Sequence, residues 1–465
     1  MAEKTKGEKL KDKLFYARKD GYEKLGAEAA DAAYVFAEGY KAFLDAGKTE
    51  RECADYAVKF LKSKKFREYQ YGKAYKPGEG AYICNRGKAV YALRFGQKGA
   101  AEGLRVIAAH IDSPRIDLKA HPVYEDGGLA LLKTHYYGGI KKYQWVTIPL
   151  ALHGVICRAD GKKIDVCIGE DAHDPVLVIS DLLPHLGKDQ AKKPLDEAFT
   201  GESLNIIAGS RKYDDEKASE RVKLNLLSIL HDKYGVTESD LISAELSAVP
   251  AFNARDVGLD RAMVGAYGQD DRVCAYGALT ALTEGGIPER TSLLVLADKE
   301  EIGSEGNTSI QSRVMTDLIT DVAVTQKAVH AAVFANTKCL SADVNACFDP
   351  NFPEVYESKN SAHINCGVVV TKFTGSRGKS GSSDASAEFI AEVRAILDGA
   401  GVIWQTGELG KVDQGGGGTV AMFVANHNID TVDVGVPILS MHAPYELASK
   451  LDIHMMHLAS KAFWK

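Results

Sequence analysis

Two adjacent glutamates, Glu300 and Glu301, follow a short apolar run and have side chains suited to acid–base or metal chemistry. The run, Ser292–Ala297 (SLLVLA), has the composition of a buried strand. Acids at the carboxyl end of a parallel strand lie where open α/β sheets bind ligands. Neighbouring carboxylates repel each other, so a bound cation is one way to keep both ionised. Two exposed glutamates that merely open a loop are the simpler alternative.

Other acids and histidines stand at the ends of predicted strands or at the start of a predicted helix: His110, Asp112, Asp270, Asp271, Asp343 and His442. Nitrogen and oxygen donors without cysteine suit zinc, cobalt or manganese rather than a structural thiolate site. Two histidines and three or more carboxylates exceed the needs of one tetrahedral ion, whereas two ions sharing a carboxylate would use them all. Taken singly, each group has an ordinary alternative as a cap, a turn residue or a surface residue.

The bulk properties exclude several classes of function. The chain has 465 residues, of which 26% are charged, and a formal net charge of -6. This length predicts two domains, and the acidic balance argues against general nucleic-acid binding. No apolar stretch approaches the length of a membrane span, and the charged N-terminal segment lacks an apolar signal core. Eight cysteines without a paired framework favour reduced thiols, so we expect a cytoplasmic protein.

The hydrophobic pattern divides the chain into two domains. Residues 1–117 begin with predicted helices and continue into predicted strands, and strands and helices alternate in residues 250–465. This pattern predicts an α/β fold with a mostly parallel central sheet flanked by helices. Residues 118–249 are β-rich, with a hairpin turn at Asp160 and Gly161, and lack this alternation. We therefore predict a catalytic domain from the two outer segments and an inserted domain from the middle one.

Local signals predict individual elements. Thr49 and Glu52 have the spacing of a capping box at a helix start, and Arg86-Gly87 reads as the turn of a hairpin. The segment VHAAVFANTKCLSADVNA, residues 329–346, is predicted to be β-structure throughout.

Two loops are candidates for substrate contacts. The segment KFTGSRGKSGSSDAS contains Lys372, Arg377 and Lys379, which could bind an acidic side chain, although a solvated loop explains them equally well. The segment KVDQGGGGTVAMF places Gly416 and Gly417 before a predicted helix, where backbone N–H groups could bind a carbonyl or carboxylate. A tight turn is the alternative, and no lysine-serine pair follows to make a phosphate-binding loop.

Five segments in order, AAHIDSPR, GQDDRVCA, DKEEIGSEG, SADVNA and MHAPYE, resemble the site motifs of the aspartyl aminopeptidase family. These enzymes are dinuclear zinc aminopeptidases related to the tetrahedral aminopeptidases, and the resemblance extends from about residue 13 to the C-terminus. It implies a zinc-peptidase-like fold with an inserted β-rich dimerisation domain. It also implies two Zn²⁺ ions per subunit, with Co²⁺ or Mn²⁺ as alternatives.

The resemblance implies a role for each site residue. His110 and His442 would each bind one metal, Asp270 would bridge the two ions, and Glu301 and Asp343 would each join one histidine. Glu300 would be the general base. Asp112 would accept the free N–H of His110 and fix the orientation of its ring.

The resemblance also implies the surroundings of the site. The glycine-rich segment with Gly416 and Gly417 would line it, and a histidine of the insert, His185 or the competing His173, would reach the active site of a neighbouring subunit. Family members form dimers that build dodecamers and act on short peptides.

The leading interpretation is a metal-dependent aminopeptidase that removes N-terminal residues, with Asp or Glu suggested by the family name. A dinuclear-metal deacylase or carboxypeptidase on the same scaffold is the alternative within enzymes. A non-catalytic assembly protein is the alternative in another class, but it would typically have lost the base or a ligand. Partners are therefore expected to be short peptides and further copies of this chain, with no nucleic acid and no membrane.

Overall fold

The computed structural model describes residues 4–465, except for the side chain of Ala29, and has a mixed α/β architecture with several sheets. The helices are α1 (Lys6–Leu14), α2 (Gly21–Ala46), α3 (Glu50–Ser63), α4 (Leu195–Ala198), α5 (Arg221–Tyr234), α6 (Gln269–Thr283), α7 (Val314–Thr325), α8 (His330–Asn336), α9 (Ala387–Gly399), α10 (Ala421–Ala425) and α11 (Lys450–Phe463). The strands are β1 (Arg67–Glu68), β2 (Gly80–Asn85), β3 (Ala89–Arg94), β4 (Arg105–His110), β5 (Arg115–Asp126), β6 (Leu129–Tyr137), β7 (Leu150–Cys157), β8 (Lys163–Ile168), β9 (Ile206–Gly209), β10 (Ala244–Pro250), β11 (Arg255–Val257), β12 (Met263–Ala266), β13 (Ser292–Ala297), β14 (Lys338–Ser341), β15 (Asn345–Ala346), β16 (Val368–Thr371), β17 (Gly375–Ser376), β18 (Trp404–Thr406), β19 (Gly416–Gly417), β20 (Asp430–Gly435), β21 (Pro437–Leu439) and β22 (Glu446–Ser449).

The largest sheet has nine strands in the order β1-β2-β3-β13-β4-β14-β20-β16-β18. Its centre is parallel, because β13, β4, β14 and β20 pair with one another in that sense. Antiparallel pairing occurs between β2 and β3, between β3 and β13, and between β20 and β16. The carboxyl ends of four neighbouring strands therefore meet at one edge of the sheet, where α/β folds bind ligands.

Helices cover both faces of this sheet. Strand β13 shows why, since every residue in it is buried and its side chains alternate between two cores. Leu294 and Leu296 pack with α2, α3, α6, α9 and α11, whereas Leu293 and Val295 pack with α7, α8 and α10. Strand β13 is thus apolar along its length because both of its faces are buried.

A second sheet has six antiparallel strands, in the order β8-β7-β10-β5-β6-β9, all of them between Arg115 and Pro250. It has its own hydrophobic core, which includes Ile116, Trp145 and Val249. Two smaller sheets, β11-β12-β22-β21-β15 and β17-β19, complete the fold. Among residues 4–465, no helix is both long and apolar enough to cross a membrane.

The structure tests the local predictions. Thr49 and Glu52 form the predicted capping box at α3, and the β2–β3 hairpin turns at Arg86 and Gly87, both with positive φ. The prediction of β-structure throughout residues 329–346 is wrong, because His330–Asn336 form α8 and strand begins only at β14. An apolar run this short has no clear period, so its alanines fit a helix as well as a strand.

Candidate active site

Four of the predicted site segments reach the carboxyl edge of the nine-stranded sheet or the helix beside it. His110 is the last residue of β4, while Glu300 and Glu301 follow β13. Asp343 follows β14, and Asp270 lies in the first turn of α6. The parallel order of the strands therefore gathers residues that are far apart in the chain.

His442 comes from a different sheet, because it follows β21 of the five-stranded sheet. Its backbone is in the left-handed region with φ of 65°, as is that of Lys299 before Glu300, with φ of 69°. Such conformations are uncommon for residues other than glycine and recur at functional sites. Both turns bring a site residue towards the edge of the large sheet.

Asp270 lies between the two histidines. Its Oδ1 is 3.2 Å from Nε2 of His110, and its Oδ2 is 3.2 Å from Nε2 of His442. Asp343 Oδ1 is 3.9 Å from the first histidine, and Glu301 Oε2 is 3.4 Å from the second. The donors thus form three groups. Two of them share Asp270, namely His110–Asp270–Asp343 and Asp270–Glu301–His442, and the third is His110–Glu300–Glu301.

Glu300 borders both groups. Its Oε2 lies 3.8 Å from Nε2 of His110, and its side chain is 15% exposed and lines the adjoining cavity. Burial raises the pKa of Glu300 to about 7. A carboxyl group with this pKa can both accept and release a proton near neutral pH.

Asp112 organises one half of the cluster. Its carboxylate accepts the backbone N–H groups of Glu300 at 3.1 Å and Glu301 at 3.2 Å, and the hydroxyl of Tyr137 at 2.8 Å. Nδ1 of His110 lies 3.1 Å from the Asp112 carbonyl and 3.4 Å from Oδ1 of the same residue. Burial opposes ionisation of Asp112, but contact with His110 holds its pKa below the usual range.

Glu446 organises the other half. Its two carboxylate oxygens accept the backbone N–H groups of His442 at 2.7 Å and Asp270 at 3.1 Å. Burial raises the pKa of Glu446 to about 8. Nδ1 of His442 lies 2.9 Å from the carbonyl oxygen of Gly139, which fixes the other side of the ring.

Sequence reasoning missed three of these supporting residues, Tyr137, Gly139 and Glu446. Glu446 ends the segment MHAPYE, so an acid four residues after His442 was an available signal. Tyr137 and Gly139 belong to the predicted insert and contact the site through a hydroxyl and a backbone carbonyl. Neither has a sequence signature that points to a metal site.

The cluster contains more buried carboxylate groups than its hydrogen-bond donors can satisfy. Burial raises the pKa of Glu301 and of Asp343 well above the usual range. Burial acts on Asp270 in the same direction, but the close contacts with His110 and His442 outweigh it and lower the pKa of Asp270. Within the described chain, Oδ1 of Asp270 and Oε1 of Glu301 are buried without a hydrogen-bond partner. Unpartnered buried carboxylate oxygens are unfavourable unless a cation neutralises them.

A cavity of about 540 Å³ opens from the cluster. It is lined by Asp270, Glu300, Glu301, Gly303, Ser304, Asp343, Val344, Asn345, Thr371, Phe373, Thr374, Gly375, Ser376, Ser380, Gly381, Leu409, Gly416, Gly417, Gly418, Thr419, Met422, Phe423, Met441 and His442. Of the predicted substrate residues, Gly416 and Gly417 line this cavity. At Gly416 a Cβ atom would come within 2.3 Å of the Gly375 carbonyl oxygen, so the close pairing of β17 with β19 in its wall requires glycine.

The other predicted substrate residues lie elsewhere. Lys372, Arg377 and Lys379 are exposed and are not part of the cavity lining. His185 and His173 are exposed in the segment between β8 and β9. The structure of one chain brings neither histidine to the cavity.

Histidine and carboxylate donors gathered beside a substrate-sized cavity are the arrangement of a metal-dependent hydrolase. Comparison with known proteins gives the family. Residues 43–464 match the family described as aminopeptidase I zinc metalloprotease (M18). A probable M18 family aminopeptidase 1 from Clostridium acetobutylicum is 45% identical over 454 residues, which are 96% of this chain and 97% of the relative.

Solved structures agree with this match. The M18 aminopeptidase of Thermotoga maritima has a TM-score of 0.92 at 42% identity, and the alignment covers 97% of this chain and all of that one. The mApe1 dodecamer of S. cerevisiae shares the fold, with a TM-score of 0.74 at 22% identity over 94% of this chain and 97% of its own. The chain belongs to the M18 family and is a zinc-family metalloaminopeptidase, which confirms the resemblance found in the sequence.

Proposed function

We propose that this enzyme removes the N-terminal residue of short peptides at two zinc ions, with Glu300 as the general base. The observation that supports this proposal most directly is the position of Asp270, whose two oxygens each lie 3.2 Å from a different histidine. His110 and Asp343 would complete one ion site, and His442 and Glu301 the other. The buried Oε1 of Glu301, which has no hydrogen-bond partner, fits such a cation. The donor set of oxygen and nitrogen atoms fits as well.

The chain's own residues have defined parts in this proposal. Zinc, when bound, supplies Lewis-acid polarisation of the scissile carbonyl and makes a nearby water more acidic. Glu300 removes the proton from the attacking water and delivers it to the leaving amine, and its pKa of about 7 suits both steps. Asp112 holds Glu300 and Glu301 through their backbone N–H groups, so the base stays in place during turnover.

Two further parts of the proposal concern the insert. We assign residues 1–117 and 250–465 to catalysis and 118–249 to oligomerisation, which the separate six-stranded sheet and its own core support. Large apolar side chains are exposed in it at Leu182, Leu183 and Leu186, which flank His185 and suit a subunit contact. The yeast dodecamer offers a model for such an assembly, in which His185 would reach a neighbouring active site. A cytoplasmic location remains an expectation from the sequence.

The test is to remove metal with a chelator and restore Zn²⁺, Co²⁺ or Mn²⁺ one at a time. We expect hydrolysis of amino-acid p-nitroanilides to return as elemental analysis reaches two ions per chain, and to require a free α-amine. Full activity with one ion per chain would contradict the paired site. Equal cleavage of N-acetylated substrates would favour the deacylase alternative.

The acidic preference implied by the family name needs a cation near the substrate side chain. Lys372, Arg377 and Lys379 were the candidates, and all three lie outside the cavity lining.

A further inference from the structure

A second cavity, of about 290 Å³, lies where the end of α3 meets the turn before β2, and we call it the basic cavity. Its lining contains five cations and one acid: Lys64, Lys65, Arg67, Lys73, Arg94 and Glu79. Among residues 4–465, none of these five cations forms a salt bridge. The whole chain has a formal net charge of -6, so this cavity concentrates unpaired positive charge on an otherwise acidic protein.

The groups around Arg94 leave its charge uncompensated. Its guanidinium donates to three backbone carbonyl oxygens of residues 282–285, at 3.0 to 3.2 Å, which hold it in place. Burial lowers the pKa of Arg94, and no acid offsets this effect. The carboxylate of Glu79 is occupied by the backbone N–H of Lys76 at 2.6 Å. The one acid of the lining therefore closes a turn and neutralises none of the cations.

An aromatic wall positions a further cation. Lys73 Nζ lies 4.6 Å from the centre of the Tyr75 ring, and this ring stacks on Phe95 with 4.6 Å between the ring centres. Phe66, which is 7% exposed, lines the cavity as well. The cations of this site are thus placed by rings and carbonyl groups and keep their positive charge available.

The basic cavity is separate from the catalytic edge of the large sheet. Arg94 pairs with Ser292, the first residue of β13, whereas Glu300 follows the last residue of that strand. Six strand residues span about 20 Å. The two cavities share no lining residue. An anion bound here would therefore not occupy the place of a peptide at the ligand cluster.

A purely structural role explains only part of this charge. Lys64 and Lys65 follow the last turn of α3, where cations interact favourably with the helix dipole. Arg67 lies in β1, and Lys73 and Arg94 are also remote from that helix end in sequence. Cations of one sign gathered in a concave site attract anions. The set as a whole therefore indicates a ligand.

We propose that the basic cavity binds a small polyanion, namely two or three linked phosphate groups. A carboxylate would bring a single charge, whereas linked phosphates bring several charges and many acceptor oxygens in a small volume. The cavity is at the lower limit of the size of small-molecule sites, which suits such a chain. Lysine binds phosphate as a point charge, and arginine binds it through its planar N–H groups. This site is independent of the proposed peptidase function.

The first test is calorimetry of the zinc-loaded enzyme with tripolyphosphate, pyrophosphate, orthophosphate and ATP. We expect tripolyphosphate to bind with a Kd in the micromolar range, orthophosphate to bind about tenfold weaker or more, and binding to weaken with added salt. ATP should bind no tighter than tripolyphosphate, because the phosphate chain is what is recognised. Equal affinity for orthophosphate, or ATP binding tenfold tighter, would contradict the assignment.

The second test locates the binding, since polyphosphates also have affinity for zinc. Lys65 has φ of 69°, and the N–H groups of Lys65 and Phe66 donate to the carbonyls of Lys62 and Leu61 at 2.9 and 3.0 Å. Glycine is the usual residue at this position after a helix, so Lys65→Gly removes the charge without backbone strain. We expect the affinity for tripolyphosphate to fall by about fivefold or more, at equal zinc content by elemental analysis.

Lys327→Gly is the matched control. Lys327 follows α7 in the same way, with φ of 56°, and its N–H donates to the Val324 carbonyl at 3.0 Å. It is exposed and outside the basic cavity. This variant should bind tripolyphosphate like the wild type. An equal loss of affinity in Lys327→Gly would mean that the binding follows overall charge and not this cavity.

The double variant Lys65→Gly/Arg67→Gln gives the largest expected change. Its affinity for tripolyphosphate should fall by about 50-fold or more, and about 1 mM tripolyphosphate should raise its Tm less than that of the wild type. Affinity unchanged in this variant would assign the signal to the zinc centre and overturn the proposal. No binding to the wild type would overturn it as well.

Discussion

The nine-stranded sheet and the six-stranded sheet contribute to the active site in different ways. The first brings His110, Glu300, Glu301 and Asp343 to one edge through its parallel strands. The second supplies no candidate ligand, yet the end of its strand β6 contacts the cluster. The comparison shows that some of the groups that orient the donors, those of Tyr137 and Gly139, come from a different part of the chain than the donors themselves.

Two contacts carry the contribution of the insert. Tyr137 donates its hydroxyl to Asp112, and the Gly139 carbonyl lies 2.9 Å from His442 Nδ1. One contact thus supports each half of the ligand cluster. The segment at the end of β6 therefore connects the six-stranded sheet to the ligand cluster within one subunit.

The largest effect should come from the edge of the large sheet. Glu300→Gln should lower kcat by about 10³-fold, because the amide cannot take up a proton. Its zinc content, measured by elemental analysis, should stay at the wild-type value. Glu305→Gln, an exposed glutamate of the same loop, is the control and should retain activity. An active Glu300→Gln enzyme would remove this residue from the mechanism.

Next in size should be the loss of Glu446, which belongs to neither large sheet. In Glu446→Gln one of the two backbone N–H groups, of Asp270 or His442, faces an amide N–H₂ instead of an oxygen. We expect zinc affinity to fall by about 10- to 100-fold, as for other residues that orient metal ligands. Competition with a chromophoric chelator measures this. Unchanged affinity would show that the backbone holds both ligands unaided.

A smaller effect is expected from the insert and tests the comparison directly. Tyr137→Phe removes the hydroxyl that Asp112 accepts but keeps the ring that lies 3.9 Å from the Arg115 guanidinium. We expect kcat to fall by about tenfold, the scale of one hydrogen bond to a charged group. Tyr136→Phe alters the neighbouring exposed tyrosine and should have no effect. If both variants match the wild type, the insert does not act on the site through this contact.

The smallest effect concerns how the insert is attached. His153 of β7 lies between Glu52 of α3, at 2.7 Å, and Glu170, at 3.0 Å. Burial opposes its charge, but these carboxylates raise the pKa of His153 from 6.5 to about 9. Folding therefore gains from the charged ring below pH 6.5, and this gain is lost as pH rises through 9.

Urea denaturation of wild type and His153→Gln should reveal this pH dependence. The difference in free energy of unfolding should be about 1–3 kcal/mol at pH 6 and close to zero at pH 10. His121→Gln, an exposed histidine of the same sheet, is the control. A difference that stays constant with pH would mean that the ring acts through packing and not through its charge.

Much of the fold could be predicted from local signals. The capping box at Thr49 and the hairpin turn at Arg86-Gly87 depend on neighbours in sequence, and both predictions are confirmed. Helix α8 was mistaken for a strand, because seven apolar-rich residues do not establish a period. The predicted substrate contacts of Lys372, Arg377 and Lys379 stay a prediction, and all three residues lie outside the cavity lining. Charge alone made Lys372 a candidate, whereas its position on an extended segment places Thr371 and Phe373 in the cavity lining.

The sequence alone determined the types of donor and their order along the chain, since strand-ending acids and histidines are visible as patterns of single residues. It also determined the family, through five segments that keep this order. Only the tertiary structure decided that Asp270 lies between His110 and His442 and that Glu446 holds both halves together. It also decided which loop residues line the cavity. His110 and His442 are 332 residues apart in the sequence, so the distance between them in space depends on strand order and loop packing. Carbonyl and hydroxyl contacts such as those of Gly139 and Tyr137 leave no mark in a residue pattern, because almost any residue could provide them.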